Sequence, residues 1–420
     1  MSAPAEKRIM SKRLMAVLAA FAIVGAVMFV VGLFMETPLR AWQAYFINWV
    51  FWSSLAQGAV VFAAILDVTN SSWGRPMKRI AESFAAFLPI SFLLYLPLWF
   101  GMEHLYAWSV HPLPGSEWWL SKGFVFTRDL VALAVLYGLS LYYVRASIRP
   151  DLGSAEAKAK PGAGLRGMIA GAWRGEEDEI KLGVERRRVL APAVIIAFAF
   201  IFSLIAYDLV MSMSPTWYST LFGAYFWVIS VFSALALVAL FTILIRKRAG
   251  ILDAIGEAQF HDLGKLMFGF TLLSMDFFWS QFLIIWYGNI PEETGYILIR
   301  AFSEPWVVPT WIVLFGAFVA PFFLLLRRGM KTDPRKLFLV SLWILVMVWL
   351  EKFVLVAPSV WPGHDLPLGI MEILLILGYG GIFFGSAIYL LDRVPALPVT
   401  DPIFTGEPAP HHVLGEPDRV

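Results

Sequence analysis

The chain has 420 residues, 59% of them hydrophobic and 15% charged, with a mean hydropathy of +0.71. That is too apolar for a soluble domain and reads as a multi-span membrane protein. Cysteine is absent, which excludes disulfides, thiolate-held iron–sulfur clusters and covalent c-type haem in this chain, and the formal charge of +2 says little by itself.

A membrane span needs roughly 20 apolar residues. Ten stretches qualify, at about 14–35, 43–66, 82–101, 126–148, 190–213, 219–245, 264–287, 305–327, 336–357 and 367–391. The expected fold is all-α integral membrane, with ten transmembrane helices. The first stretch lacks a small-residue cleavage site and is read as retained. Of the 33 Lys and Arg residues, 28 fall in the N-terminal tail, the even-numbered connections and the C-terminal tail. Arg40, Lys122, Arg128 and Arg300 fall in the odd-numbered connections, and Lys352 lies in a span. This bias places both termini on the cytoplasmic side.

In chain order, the basic tail 1–13 is an inside anchor. The second span carries Asn48, Ser53, Ser54 and Gln57 at helical spacing, a stripe suited to tight helix contact. The third contains Pro89 and Pro97, which kink a helix and free backbone carbonyls. Glu103 and His104 follow it at the outer surface. Arg128 and Asp129 open the fourth span, as a terminal ion pair or a charged gate. Residues 149–189 form the one long connection, with a surface-lying helix expected near 162–174.

The fifth span buries Tyr207 and Asp208. The seventh carries Asp276 and Gln281 inside an apolar run, and a charge at that depth implies that the span faces other helices rather than lipid. It exits through Trp286 and Tyr287. The ninth span has Glu351 and Lys352 side by side, and the tenth has Glu372. Residues 393–420 are Pro-rich and are expected to be extended, lying on partners, or disordered.

The chain repeats itself weakly. LPLWFG (96–101) matches LIIWYG (283–288), with Lys78 aligned on Lys265. YDLVMSMSPTW (207–217) matches EKFVLVAPSVW (351–361), with Asp208 on Lys352 and Trp217 on Trp361. This suggests two four-helix bundles, spans 2–5 and 6–9, with spans 1 and 10 packed outside. The units are then 1–42, 43–213, 219–357, 367–392 and a tail 393–420.

The six histidines all lie in connections or the tail, so no membrane haem or redox metal is expected on this chain. What remains in the spans is Asp129, Asp208, Asp276, Glu351, Lys352 and Glu372, with Tyr207 and Gln281. By these boundaries none sits in the inner half of the membrane. They read as a proton half-channel or a quinone head-group lining, or else as structural pairs such as Asp208 with Lys352. An aromatic pocket near Trp279, Trp286 and Tyr287 is a second candidate for a quinone ring.

The stretches HDLGKLMFGFTLLSMDFFWSQFLIIWYGNIPEET (261–294) and AYDLVMSMSPTWYSTLFGAYFWV (206–228) resemble the membrane subunits of bacterial alternative complex III. These belong to the NrfD/polysulfide-reductase membrane-subunit family. The resemblance covers the whole chain. It implies a place in a bacterial inner-membrane complex that oxidises quinol and passes electrons to cytochrome c or to a terminal oxidase. It implies partners too: a paralogous membrane subunit, an iron–sulfur subunit, c-type haem subunits and other membrane subunits, with membrane lipids around them and no nucleic acid. The haem c and iron–sulfur clusters would lie in those partners, and the small-molecule cofactor open to this chain is a quinone such as menaquinone.

The paralogue that oxidises quinol carries a histidine in its second span, where this chain has Gln57 in Leu55-Ala56-Gln57-Gly58-Ala59. An amide cannot take up a proton as imidazole does. The chain is therefore more similar to the shorter paralogue. The expected role is a scaffold with a proton path. A quinone site on this chain, which would include Gln57, is the alternative, and a secondary transporter is a third reading.

Overall fold

The computed structural model describes residues 9–35, 37–153 and 174–406, together with Gly164, Gly167 and Ile169. Apart from Gly164, Gly167, Ile169 and Arg174, the helix expected near 162–174 lies outside the described residues, as does the tail beyond residue 406. All regular structure among the described residues is helical. Among the described residues, nine helices are long and apolar enough to cross a membrane. They are α1 (Lys12–Leu33), α2 (Pro38–Val68), α4 (Lys122–Ile148), α5 (Glu176–Ile205), α6 (Phe222–Ile245), α7 (Glu257–Gly288), α8 (Val307–Leu326), α9 (Pro334–Val360) and α10 (Ile370–Leu391). Between α2 and α4 runs a broken element, α3, made of Arg75–Tyr95 and Leu98–Leu105 with a 62° bend, which qualifies as a tenth if counted as one span.

The helix ends follow from their sequences. Ser11 caps α1, its hydroxyl accepting from the Leu14 amide, and Asp333 caps α9 ahead of Pro334. Pro97 explains the break in α3, because it has no amide hydrogen to offer the preceding turn. Tyr45 of α2 donates to the Leu94 carbonyl at 2.7 Å and Trp49 donates to that of Ser91 at 3.0 Å. The kinked helix is thereby fastened to its neighbour, as expected from its prolines.

Two helices form the centre. Within their most apolar windows, 94% of α2 and 89% of α6 is buried, against 6% of α1. Both are apolar around their whole circumference, as a helix enclosed by protein must be. They cross closely, because Gly58 lies against the Ser230 backbone, where a Cβ would come within 2.6 Å of its carbonyl oxygen. Around α2 stand α3, α4 and α5, and beside α6 stand α7 and α9, with α8 packed against α7 and α9; α5 also touches α6, and α9 touches α2. Helix α1 packs along α10, with Gly25 against Gly378, and α10 packs on α2 and α3.

Both ends of the described chain lie at one end of the molecule. The Ile9 and Met10 amides donate to Asp392 just past α10, at 2.9 and 3.0 Å. At this same end Asp67, Arg75, Lys78, Arg79, Glu82, Asp151, Arg187 and Asp401 form a buried network of ion pairs. Arg187 meets Asp401 at 2.7 Å and Lys78 meets Asp67 at 2.8 Å. Arg75 also pairs with Asp67, and Arg79 with both Glu82 and Asp151.

This corrects two expectations. Residues 75–81, read as a basic connection, are buried helix, and acidic groups gather at the end that carries both ends of the described chain, because α2 extends to Val68 and brings Asp67 there. The tail is folded back as well. Thr400 donates to Asp151 through its hydroxyl at 2.6 Å, and Asp401 starts a short helix, Pro402–Thr405.

Candidate functional site

The buried face of α4 organises the polar interior. Asp129, Tyr137, Ser140 and Tyr143 are all buried on it, at spacings that keep them on one side. From Asp129 to Tyr143 the rise is about 21 Å at 1.5 Å per residue. At the end of α4 away from the chain termini, Arg128 Nε donates to Asp208, just past α5, at 2.8 Å, and its guanidinium lies 3.8 Å from the Trp119 ring centroid. Asp129 is 0% exposed, and neither of its oxygens has a hydrogen-bond partner among the described residues. Arg128 thus pairs with Asp208 alone, and Asp129 is a buried acid with no ion pair or hydrogen bond among the described residues.

Asp208 sits in a π-helical turn, Ala206–Val210, that ends α5. The widened turn offers its carbonyls to side chains. Ser212 donates to the Asp208 carbonyl at 2.6 Å, and Tyr106 donates to that of Leu209 at 2.8 Å. Such turns recur at functional sites.

Further along α4, Tyr137 lies 3.1 Å from Ser91, which lies 2.6 Å from Ser53. Gln57 donates to Ser140 at 2.9 Å. Tyr143 donates to Asp67 at 2.7 Å, which joins the inner ion network. Between Tyr137 and the Asp129 level stands Leu133. A cavity of about 10 Å³, lined by Leu133, Tyr137, Ser53 and Ser54 among others, adjoins it, close to the room one water occupies.

A second group lies across the molecule. Tyr225 of α6 donates to Glu351 of α9 at 2.7 Å, and Lys352 meets the other Glu351 oxygen at 3.0 Å. Glu351 lines a cavity of about 410 Å³ between α6, α7, α8, α9 and the short helix Pro291–Phe302. Its wall is aromatic, with Trp217, Phe278, Trp279 and Tyr296. Trp217 is 3% exposed, and among the described residues neither its indole N–H nor the buried Thr310 hydroxyl on the same wall has a hydrogen-bond partner. Arg300, also on the wall, donates to the carbonyls of Val354, Tyr296 and Leu355 and to Ser359. Burial lowers its pKa from the ordinary guanidinium value.

The sequence-derived residues therefore divide. Asp129 and Asp208 come together with Arg128. Glu351 and Lys352 pair with each other, so the expected Asp208–Lys352 bridge is replaced by two separate pairs. Glu372 is bound by Arg40 at 2.8 and 2.9 Å and accepts from the Gly369 amide, so it joins the start of α10 to that of α2. Tyr207 donates to the Thr220 carbonyl, and Gln281 accepts from Ser219, so both hold the link between α5 and α6.

Trp279 and Gln281 line the large cavity. Gln57 lies away from it beside Ser140, and Trp286 and Tyr287 are 61% and 79% exposed at the end of α7. Asp276 is a correction. It is exposed on the outer face of α7, with no hydrogen bond or ion pair to any described residue. The residues missed by sequence reasoning are Tyr137, Ser140 and Tyr143, whose spacing with Asp129 was the available signal, and Tyr225, which had none. Among the described residues no group of three His, Asp or Glu side chains is placed to hold a metal ion.

Compared with known families and with curated proteins, the chain matches no family model and no curated sequence.

Proposed function

We propose that the chain is a proton-handling integral membrane subunit of a quinol-oxidising complex, with the path running along α4. The observation that carries this reading is the set of buried polar side chains from Asp208 and Asp129 through Tyr137, Ser53, Ser140 and Gln57 to Tyr143 and Asp67. Buried hydroxyls, amides and acids in series are what a proton relay through a membrane requires. The neighbours of α2 and α6 support ten spans arranged as two four-helix bundles, with α1 and α10 outside. The positive-charge bias supports cytoplasmic termini. The resemblance supports a bacterial inner-membrane complex whose iron–sulfur and c-type haem subunits carry the electrons, beside a paralogous membrane subunit. On this reading the chain frames those centres and moves protons, and carries no redox group itself.

Purification in mild detergent tests the reading. The chain should elute with haem-bearing partners and quinol-dependent reductase activity. Elution with neither would contradict it.

A second reading, a quinone site on this chain, is favoured by the 410 Å³ cavity. Its aromatic walls suit a flat ring, the unpaired Trp217 and Thr310 donors suit carbonyl oxygens, and Tyr225 with Glu351 could exchange protons. Four of the five N–H donors of Arg300 are committed within the chain, which makes it a poor phosphate site. A photoaffinity quinone should label the Trp279–Phe282 segment, and Thr310→Leu should weaken the labelling. Labelling confined to other chains would contradict this site.

A further inference from the structure

Asp276 stands eleven residues from Lys265 and eleven from Tyr287, with a mostly apolar run free of other charges on either side. At 1.5 Å per residue that is about 16 Å to each end, the middle of a hydrocarbon core about 30 Å thick. The residue is exposed and pairs with nothing described. Its side chain is too short to reach either interface, as Lys or Arg would by snorkelling. A bare carboxyl group facing lipid at that depth is costly.

The surrounding face is shaped for contact. Gly269, Leu272, Leu273, Asp276 and Trp279 are exposed along one side of α7, and nothing lies within 4 Å of a Cβ built on Gly269. A small residue one heptad from a polar one lets a second helix come close and hydrogen-bond.

The occupant follows from charge. Within the spans, and near them on the outer side, this chain's own cations are engaged. Arg40 pairs with Glu372, Lys122 with Glu103, Arg128 with Asp208 and Lys352 with Glu351, while Arg300 binds backbone carbonyls. A second copy could present no free cation to Asp276. We infer that this face of α7 binds a transmembrane helix of a different polypeptide, which places a Lys, Arg or His at mid-membrane depth against Asp276. This inference needs only that α7 crosses the membrane, so it stands or falls apart from the redox reading above.

The test introduces a photo-crosslinking amino acid at Leu272 in the chain expressed in its native membrane, with Phe200 on the exposed face of α5 as the control position. The Leu272 probe should give one discrete heteromeric adduct that the Phe200 probe does not. The cross-linked peptide should hold Lys, Arg or His inside an apolar run. Asp276→Leu should lower the adduct yield about tenfold, the scale of one interhelical hydrogen bond in lipid, and Asp276→Glu should retain it. Because Asp276 touches nothing in the chain itself, the purified Asp276→Leu protein should keep its thermal stability. Adducts to lipid alone, adducts to a second copy, or a partner adduct that survives Asp276→Leu unchanged would each overturn the inference.

Discussion

Asp208 and Glu351 are both buried acids, and they are neutralised differently. Asp208 receives a guanidinium from α4, whereas Glu351 receives an ammonium from the next residue in its own helix. The difference predicts different consequences of mutation. Arg128→Ala leaves Asp208 buried and unpaired, which costs about 3–5 kcal/mol. The loss would be read as a fall in thermal stability in detergent, and Arg128→Ala/Asp208→Asn should recover part of it. The single variant keeping wild-type stability would show that the pair is unimportant to the fold.

Some of this was legible from residues alone and some was not. The buried acids announce themselves, because charge inside an apolar run is rare. Their partners do not, since Arg128 and Asp208 are 80 positions apart. Asp276 was assigned inward on the argument that charge avoids lipid. That argument holds only if this chain supplies the shielding, and here it does not.

At the scale of the element, hydropathy located the spans but not their faces. In lipid both the buried and the outward side of a helix are apolar, so the periodicity that orients a helix in water is weak. Composition even misleads: α6, which lies at the centre, has no charged residue, while α7, which lies at the edge, carries Asp276 and Gln281. The opposite failure occurs at Arg75–Ser83, where charged residues read as a loop yet are buried by pairing with Asp67, Asp151 and Asp401. The α1–α10 contact was legible only as two outlying spans, and its closeness rests on Gly25 and Gly378. Gly378→Leu should prise α1 from α10 at a cost of about 1–3 kcal/mol. In this cysteine-free chain, a disulfide engineered between the two helices would report it, forming readily in the parent and poorly in the variant. Equal formation in both would show that the glycines are not needed.

At the scale of the whole molecule, the tail is a clasp across α2, α3, α4 and α5. Burial works against a charged Asp401, but Arg187, Lys78 and Arg75 outweigh it and hold the carboxyl well below the usual range. Its unfolded value is near 3.9, so the clasp is complete above that pH and is lost as the pH falls below it towards the depressed value. Proteolysis after residue 398 should therefore increase at about pH 3 and stay unchanged between pH 6 and 9. Asp401→Ala should produce the same exposure at neutral pH. A tail equally protected at pH 3 would show that other contacts hold it.

The two halves are also unequal in a way that bears on function. Polar side chains run the length of the α2–α5 half. In the α6–α9 half the buried acid–base pair among the described residues is that of Glu351 with Lys352 at the cavity, and Lys265, the counterpart of buried Lys78, is exposed and pairs with Asp262. The account therefore places proton movement in the first half alone.

The most direct test is the number of protons released per electron by the reconstituted complex, measured for the parent, Asp208→Asn and Tyr137→Phe, with Glu351→Gln as the comparison. The expected result is a lower ratio in the first two variants, at electron-transfer rates close to the parent's, and an unchanged ratio in Glu351→Gln. An unchanged ratio in both Asp208→Asn and Tyr137→Phe would contradict the account.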